Sequence, residues 1–244
     1  MELQERSILI TGGTSGIGLA LVEWLIADNQ VIVLARNQQK LNELKNHFPK
    51  VITYTCDLAQ RDQLMTQLSI IYRLHPEISI VINNAAVQFS VRFTDDNSDI
   101  NSIATEVATN LTAPLQICAA MLKPLMAQEK SAAIVNINSG LAYFPKTSSA
   151  VYCATKAGLH NFSISLGYQL ELTKVKVINV ILPLVDTRMT KGRGSGKISA
   201  EQAAQEIIKG IKRDQRTIHV GKTKWLPLLM RVAPGAIAKM MKTA

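Results

Sequence analysis

The chain is poor in the residues that mark secreted, metal-bound or membrane-spanning proteins. Its 244 residues include three cysteines, Cys56, Cys118 and Cys153. An odd count without a CxxC pair argues against a disulfide framework and a structural metal, and for a reducing, cytoplasmic setting. The four histidines, His47, His75, His160 and His219, are scattered without ligand spacing. No apolar leader opens the chain, since MELQERS is charged, and no signal peptide is expected. Acidic residues are scarce in the last quarter. Residues 1–187 carry 14 Lys/Arg against 15 Asp/Glu, whereas residues 188–244 carry 13 against 3. That region has neither interleaved aromatics nor a DNA-binding motif, so nucleic acid is not an expected partner. Its charge suits a solvated surface, or peripheral contact with a membrane or anionic polymer.

Apolar residues are plentiful, at 47%, enough for a sizeable core. β-Branched runs at 7–12, 30–35, 51–57, 78–84, 132–138, 174–182 and 217–221 read as strands. Several are continuously apolar, as in strands buried on both faces of a parallel sheet. Amphipathic stretches at about 16–28, 37–47, 60–74, 101–129, 150–172 and 199–213 read as helices. The alternation predicts an α/β fold: a single Rossmann-type doubly wound domain over 1–244, with a seven-stranded, mostly parallel sheet flanked by helices. No repeat or linker divides it. Two segments stand apart. The Gly-rich, basic stretch at about 188–198 reads as a mobile loop. It ends in Gly196-Lys197 but is no phosphate loop, because Lys191 and Ile198 stand where a glycine and a Ser/Thr are required. The basic, apolar segment 222–244 is too short and too interrupted to span a membrane. It is expected to pack on the core or on another subunit, with a membrane surface as the alternative.

TGGTSGIG, residues 11–18, joins the first strand to the first helix. Gly12, Gly16 and Gly18, with Thr14, Ser15 and Ile17 between them, allow a tight turn and close approach of a pyrophosphate to a helix N-terminus. At the end of the second strand Ala35 stands where an acid would bind the ribose of NAD, and Arg36 follows. An arginine fork suits a 2′-phosphate, so NADP(H) is favoured over NAD(H). Tyr152 and Lys156 are one helical turn apart. An ammonium beside a phenol lowers the phenol's pKa, and the pair becomes a proton donor and acceptor near neutrality.

In this order and spacing the motifs resemble the short-chain dehydrogenase/reductase family over nearly the whole chain. TGGTSGIG is similar to its cofactor loop. CDL, with Asp57 and Leu58, resembles its adenine-contacting turn, and NNAA, with Asn84, Ala85 and Ala86, its motif after the fourth strand. Asn110 falls at its helix asparagine and Ser139 at its serine, 13 residues before Tyr152 in YCATK. Pro183, Val185 and Thr187 match its nicotinamide-side motif, although Leu184 stands where glycine is common. SGLAYFPKTSSAVYCATKAGLH and RVAPG resemble the DltE-like oxidoreductases within that family, named for a teichoic-acid D-alanylation operon.

The resemblance implies hydride transfer between nicotinamide and a small carbonyl/alcohol substrate. Tyr152 would be general acid or base, Ser139 would hold the substrate oxygen, and Lys156 would lower the phenol pKa and bind the ribose. Asn110 would hold a water linked to Lys156, and Thr187 would bond the carboxamide. The substrate pocket would be lined from after Ala86, around Leu141–Tyr143 and after Thr187. A homodimer or homotetramer through the helices near 101–129 and 150–172 is implied as well. The alternative is a non-catalytic NADP-binding sensor or scaffold that associates with anionic polymer or membrane.

Overall fold

The computed structural model describes residues 1–89, 93–94 and 99–242. Part of the segment expected to line the pocket after Ala86, and the last two residues of the basic tail, lie outside that set. Among the described residues seven strands form one sheet: β1 Ser7–Thr11, β2 Gln30–Ala35, β3 Ile52–Thr55, β4 Ile78–Asn83, β5 Ala132–Ser139, β6 Val175–Leu182 and β7 Thr217–His219. Their order is β3-β2-β1-β4-β5-β6-β7, and every pairing is parallel. The order reverses between β1 and β4. At such a switch point the connections leave in opposite directions, and a crevice opens at the carboxyl ends of the strands.

The continuous apolar runs are accounted for by two cores, one on each face. Side chains alternate along a strand. Ile8 and Ile10 of β1 therefore join α1 (Gly16–Leu25), α2 (Gln38–His47) and α7 (Ala200–Lys212) on one face. Leu9 joins α3 (Arg61–Leu74), α5 (Ala113–Ala127) and α6 (Ala150–Gln169) on the other. The stretch expected as one helix over 101–129 is α4 (Ile100–Val107), a π-helical turn (Ala108–Thr112) and α5. The π turn carries Asn110. Such a widening re-aims side chains by one position and is frequent at functional sites.

The tail departs from core packing. It forms two short helices, α8 (Leu226–Val232) and α9 (Pro234–Lys242). Each of these two helices has a proline in its first turn, where a missing N–H costs nothing. In these helices only Ile237 is buried, while Val232 is 73% and Met240 61% exposed. Both sheet faces are already covered, so the tail lies on the surface. It crosses the carboxyl edge: Leu226 packs near Gly140, and the Thr147 hydroxyl donates to the Lys242 carbonyl at 2.8 Å. Among the described residues no helix is long and apolar enough to cross a membrane.

Candidate active site

Three of the sequence-predicted motifs converge at the switch point. Gly12 (φ +71°) and Gly16 (φ +55°) adopt left-handed conformations open to glycine at little cost. A Cβ on Gly12 would meet Ala85 Cα at 3.0 Å, and one on Gly16 would meet the Thr187 methyl at 3.1 Å. A Cβ on Gly18 would collide with the Gly12 carbonyl and the Asn84 amide. The loop is braced from β4. Asn84 Nδ2 donates to the carbonyls of Thr11 (3.0 Å) and Gly12 (3.2 Å), and Thr11 Oγ1 accepts from the backbone N–H groups of Asn84 and Ala85, each at 3.0 Å. Asn84 thus has a bracing task that its motif alone did not reveal, and Thr11 escaped notice because a threonine ending a strand carries no signal. Ser15 is the exposed N-cap of α1, and its side chain caps nothing. Thr14 and Ile17 are half-buried beside it.

Further along the same edge, Arg36 is exposed between β2 and α2, whose first turn is capped by Asn37 accepting from Lys40 N–H at 2.9 Å. Asp57 ends the β3 connection. Its carboxylate accepts from Ala59 N–H at 3.0 Å, while Leu58 is buried. Past β6, Pro183 and Thr187 are half-buried and Val185 is buried. The Leu184 side chain lies against Gly194, close enough that a Cβ there would clash. The leucine that replaces a common family glycine therefore supports the 188–198 segment.

Lys156 sets the geometry of the second cluster. The residue is 3% exposed, and its amine donates to the Ile137 carbonyl of β5 at 2.8 Å. It also stands 5.7 Å from the Tyr152 ring centroid. Helix α6 follows β5 and runs antiparallel to it. Four residues back along the helix, about 6 Å, matches two residues forward along the strand, about 6.6 Å. Tyr152 thereby comes level with Ser139, the last residue of β5. Ser139 Oγ accepts from Leu141 N–H at 3.1 Å and keeps its own proton to donate.

The electrostatics differ from the expectation that Lys156 depresses Tyr152. Burial pushes the Tyr152 phenol up, with Cys153 and Glu106 adding to it. Burial pushes Lys156 down to about 8. Both charged forms lose hydration in the same enclosed site, and that outweighs their attraction. Asn110 has a task that its motif did not reveal. It is fully buried, accepts from Val87 N–H at 2.8 Å and donates to the Val87 carbonyl at 2.7 Å. Its amide is spent holding the segment after β4, with Thr155 Oγ1 at 3.5 Å.

The 188–198 segment is tied across this cluster. Arg193 Nη1 donates to Gln88 Oε1, and Gln88 Nε2 donates to Ser149 Oγ, each at 2.8 Å. Lys197 meets Asp186 at 3.4 Å, and Val185 pairs with Ile198. Gln88 and Ser149 were not singled out from the sequence, since neither lies in a motif. Glu106 was missed too. It is completely buried, neither of its oxygens has a hydrogen-bond partner among the described residues, and burial raises it to about 7.

A profile of the short chain dehydrogenase family matches residues 6–197. The chain belongs to that family. A curated relative in Bacillus subtilis, called uncharacterized oxidoreductase DltE, is 35% identical over 225 residues, 89% of each chain. The protein is thus an oxidoreductase of the dehydrogenase/reductase class. Solved folds agree. A short chain dehydrogenase from Burkholderia cenocepacia in complex with NADP has a TM-score of 0.88 at 21% identity, covering all of both chains. Another short-chain dehydrogenase/reductase, from Burkholderia phymatum in complex with NAD, has a TM-score of 0.85 at 18% identity, covering 100% of this chain and 98% of that one. At those identities the likeness speaks for the fold.

Proposed function

We propose that the protein is an NADP(H)-preferring oxidoreductase acting on a small carbonyl/alcohol substrate, with Ser139, Tyr152 and Lys156 as its catalytic set. The observation that carries this is the buried Lys156 amine beside the Tyr152 ring, bonded to the Ile137 carbonyl two residues before Ser139 on β5. The crevice fits a dinucleotide. Gly12 and Gly16 leave room where a Cβ would fill it, and Ser15 leaves the first N–H groups of α1 unspent by its side chain. Gly12, Thr14, Ser15, Gly16, Ile17 and Gly18 would take the phosphates. Arg36 would take the 2′-phosphate, and Asp57 and Leu58 would flank the base. Asn84, Ala85, Ala86, Pro183, Val185 and Thr187 would line the nicotinamide end, and Tyr152 and Lys156 the ribose.

The nicotinamide, when bound, gives or receives the hydride. Tyr152 moves the proton at its phenol oxygen, and Ser139 donates to the substrate oxygen so that it faces that phenol. Lys156 has one donor fixed on Ile137, which points the remaining ammonium protons elsewhere in the site and keeps its charge close as phenolate develops. Asn110 holds the Val87 backbone, and with it the wall of the pocket. Assembly through α4–α5 and α6 would suit Met126 and Tyr168, which leave 51% and 70% of their surface exposed. A link to cell-envelope metabolism rests on the resemblance to DltE and names no substrate.

The test is fluorescence titration with NADPH and NADH, followed by a carbonyl panel read by absorbance. NADPH should bind more tightly, and Tyr152→Phe should lower turnover at least ~100-fold while leaving that binding in place. A Tyr152→Phe protein with undiminished rate refutes the assignment. The exposed tail, with Lys222, Lys224, Arg231, Lys239 and Lys242 among apolar side chains, favours a second reading: a cofactor-binding sensor or scaffold on an anionic surface. Tight cofactor binding without turnover, and salt-sensitive sedimentation with anionic vesicles, would select it.

A further inference from the structure

Glu106 has no task in the reaction just described, yet its burial demands one. A carboxyl placed in the interior with both oxygens unpaired among the described residues is destabilising, and a leucine of similar size would avoid that cost. Its position is fixed by the fold. Helices α4–α5 and α6 follow neighbouring parallel strands and so run in the same direction. The contact of Asn110 Nδ2 with Thr155 Oγ1 sets their register. One turn back from Asn110 is Glu106, and three residues back from Thr155 is Tyr152. The two meet at the next level, toward the carboxyl edge of the sheet, and α4 packs directly on α6.

We propose that Glu106 is a positioning residue for proton transfer: a buried carboxyl against the tyrosine-bearing helix, whose charge state governs how readily Tyr152 releases its proton. This rests on the reading of Tyr152 as the proton carrier.

Among the described residues, the groups facing Glu106 can be named. From α6 come Tyr152 and Cys153, both of which its charge makes harder to ionise. From the 188–198 segment comes Arg193, which favours the carboxylate, and from the connection after β4 comes the Phe89 backbone N–H, which does the same without closing a hydrogen bond. Lys146, half-buried before α6, faces Arg193 and Cys153. Burial outweighs the attractions and leaves the carboxyl titrating near neutrality. The sign follows. Neutral Glu106 lets phenolate develop. Ionised Glu106, above about pH 7, sets a second negative charge beside it in a poorly hydrated interior and opposes release.

The experiment reads the protons directly and needs no substrate. Protein labelled with ¹³C at tyrosine Cζ and glutamate Cδ is titrated by NMR as wild type, Glu106→Gln and Glu106→Met, with the Tyr152 signal assigned by its loss in Tyr152→Phe. The expected result is a glutamate carboxyl titrating near neutrality that both Glu106 variants lack. Tyr152 should ionise about one pH unit or more lower in Glu106→Gln than in wild type. In turnover assays the limb near pH 7 should vanish in that variant while NADPH affinity stays. Equal Tyr152 titrations in all three proteins, a Glu106 signal moving only in the ordinary acid range, or a change confined to KM would overturn the proposal. A wild type that turns over nothing would defeat the catalytic reading and leave this titration intact as a test.

Discussion

Replacing Lys156 with methionine separates the cost of a buried ammonium from its use. An exposed lysine holds its proton to 10.5, whereas burial brings Lys156 down to about 8. The difference corresponds to about 3 kcal/mol of instability carried by the folded protein at neutral pH. Below about pH 8 both states are protonated, the cost is complete, and stability does not vary through this group. Between about 8 and 10.5 the unfolded chain binds more protons than the folded one, so the lysine's cost fades and stability rises with pH. Methionine has no such term. It does leave the Ile137 carbonyl without the amine that now bonds it, at about 1–3 kcal/mol. At pH 7 the two effects nearly cancel, and a single measurement would show little. The difference curve is what discriminates. Between pH 8 and 10 the wild type should gain about 2 kcal/mol relative to Lys156→Met. Cys56 and Cys118, both pushed up by burial, are common to the two proteins and drop out of the difference. Urea unfolding followed by fluorescence of Trp24 and Trp225 at four pH values supplies the curve. A difference that stays flat across this window would refute the claim that the amine is desolvated.

Two further outcomes test neighbouring claims. Asn110→Leu strands both polar groups of Val87 in the interior and should cost about 2–6 kcal/mol, which calorimetry would read as a melting point lower by ten degrees or so; a loss of under about 1 kcal/mol would mean that water replaces the amide. Arg36→Asp places a carboxylate where the 2′-phosphate is proposed to sit. It should weaken NADPH by at least tenfold while leaving NADH equal or improved, and unchanged discrimination in the titration would remove Arg36 from cofactor choice.

The sheet was legible in the sequence because a strand covered on both faces has no solvent side to record, and runs such as SILIT and ISIVIN can mean little else. The glycine loop was legible for a related reason: Gly12, Gly16 and Gly18 each occupy a place where a Cβ would strike backbone or a neighbouring side chain. What stayed hidden depends on tertiary register. The π turn at Ala108–Thr112 has no residue signature, because ATNLT would serve equally well in an α-helix. Glu106 reads as an ordinary helix glutamate until α6 is laid against α4. Leu184 stood out only as a residue where glycine is common, and its partner Gly194 is ten residues away in a stretch with no periodicity. The tail was apolar enough to suggest core packing, but no uncovered sheet face was left to receive it.

The relay from Arg193 through Gln88 to Ser149 couples the 188–198 segment to the tyrosine helix. Ser149 is the N-cap position of the helix that carries Tyr152. Lifting the 188–198 segment away breaks the charged member of that relay, a step worth about 1.5–3 kcal/mol. A segment held by that bond alone would spend roughly a tenth of its time or less open. Exchange of material past Arg193 would be rationed to those intervals, and each of them would also loosen the anchor at the start of the tyrosine helix. Under the proposed function, loading and chemistry would then fall at different times.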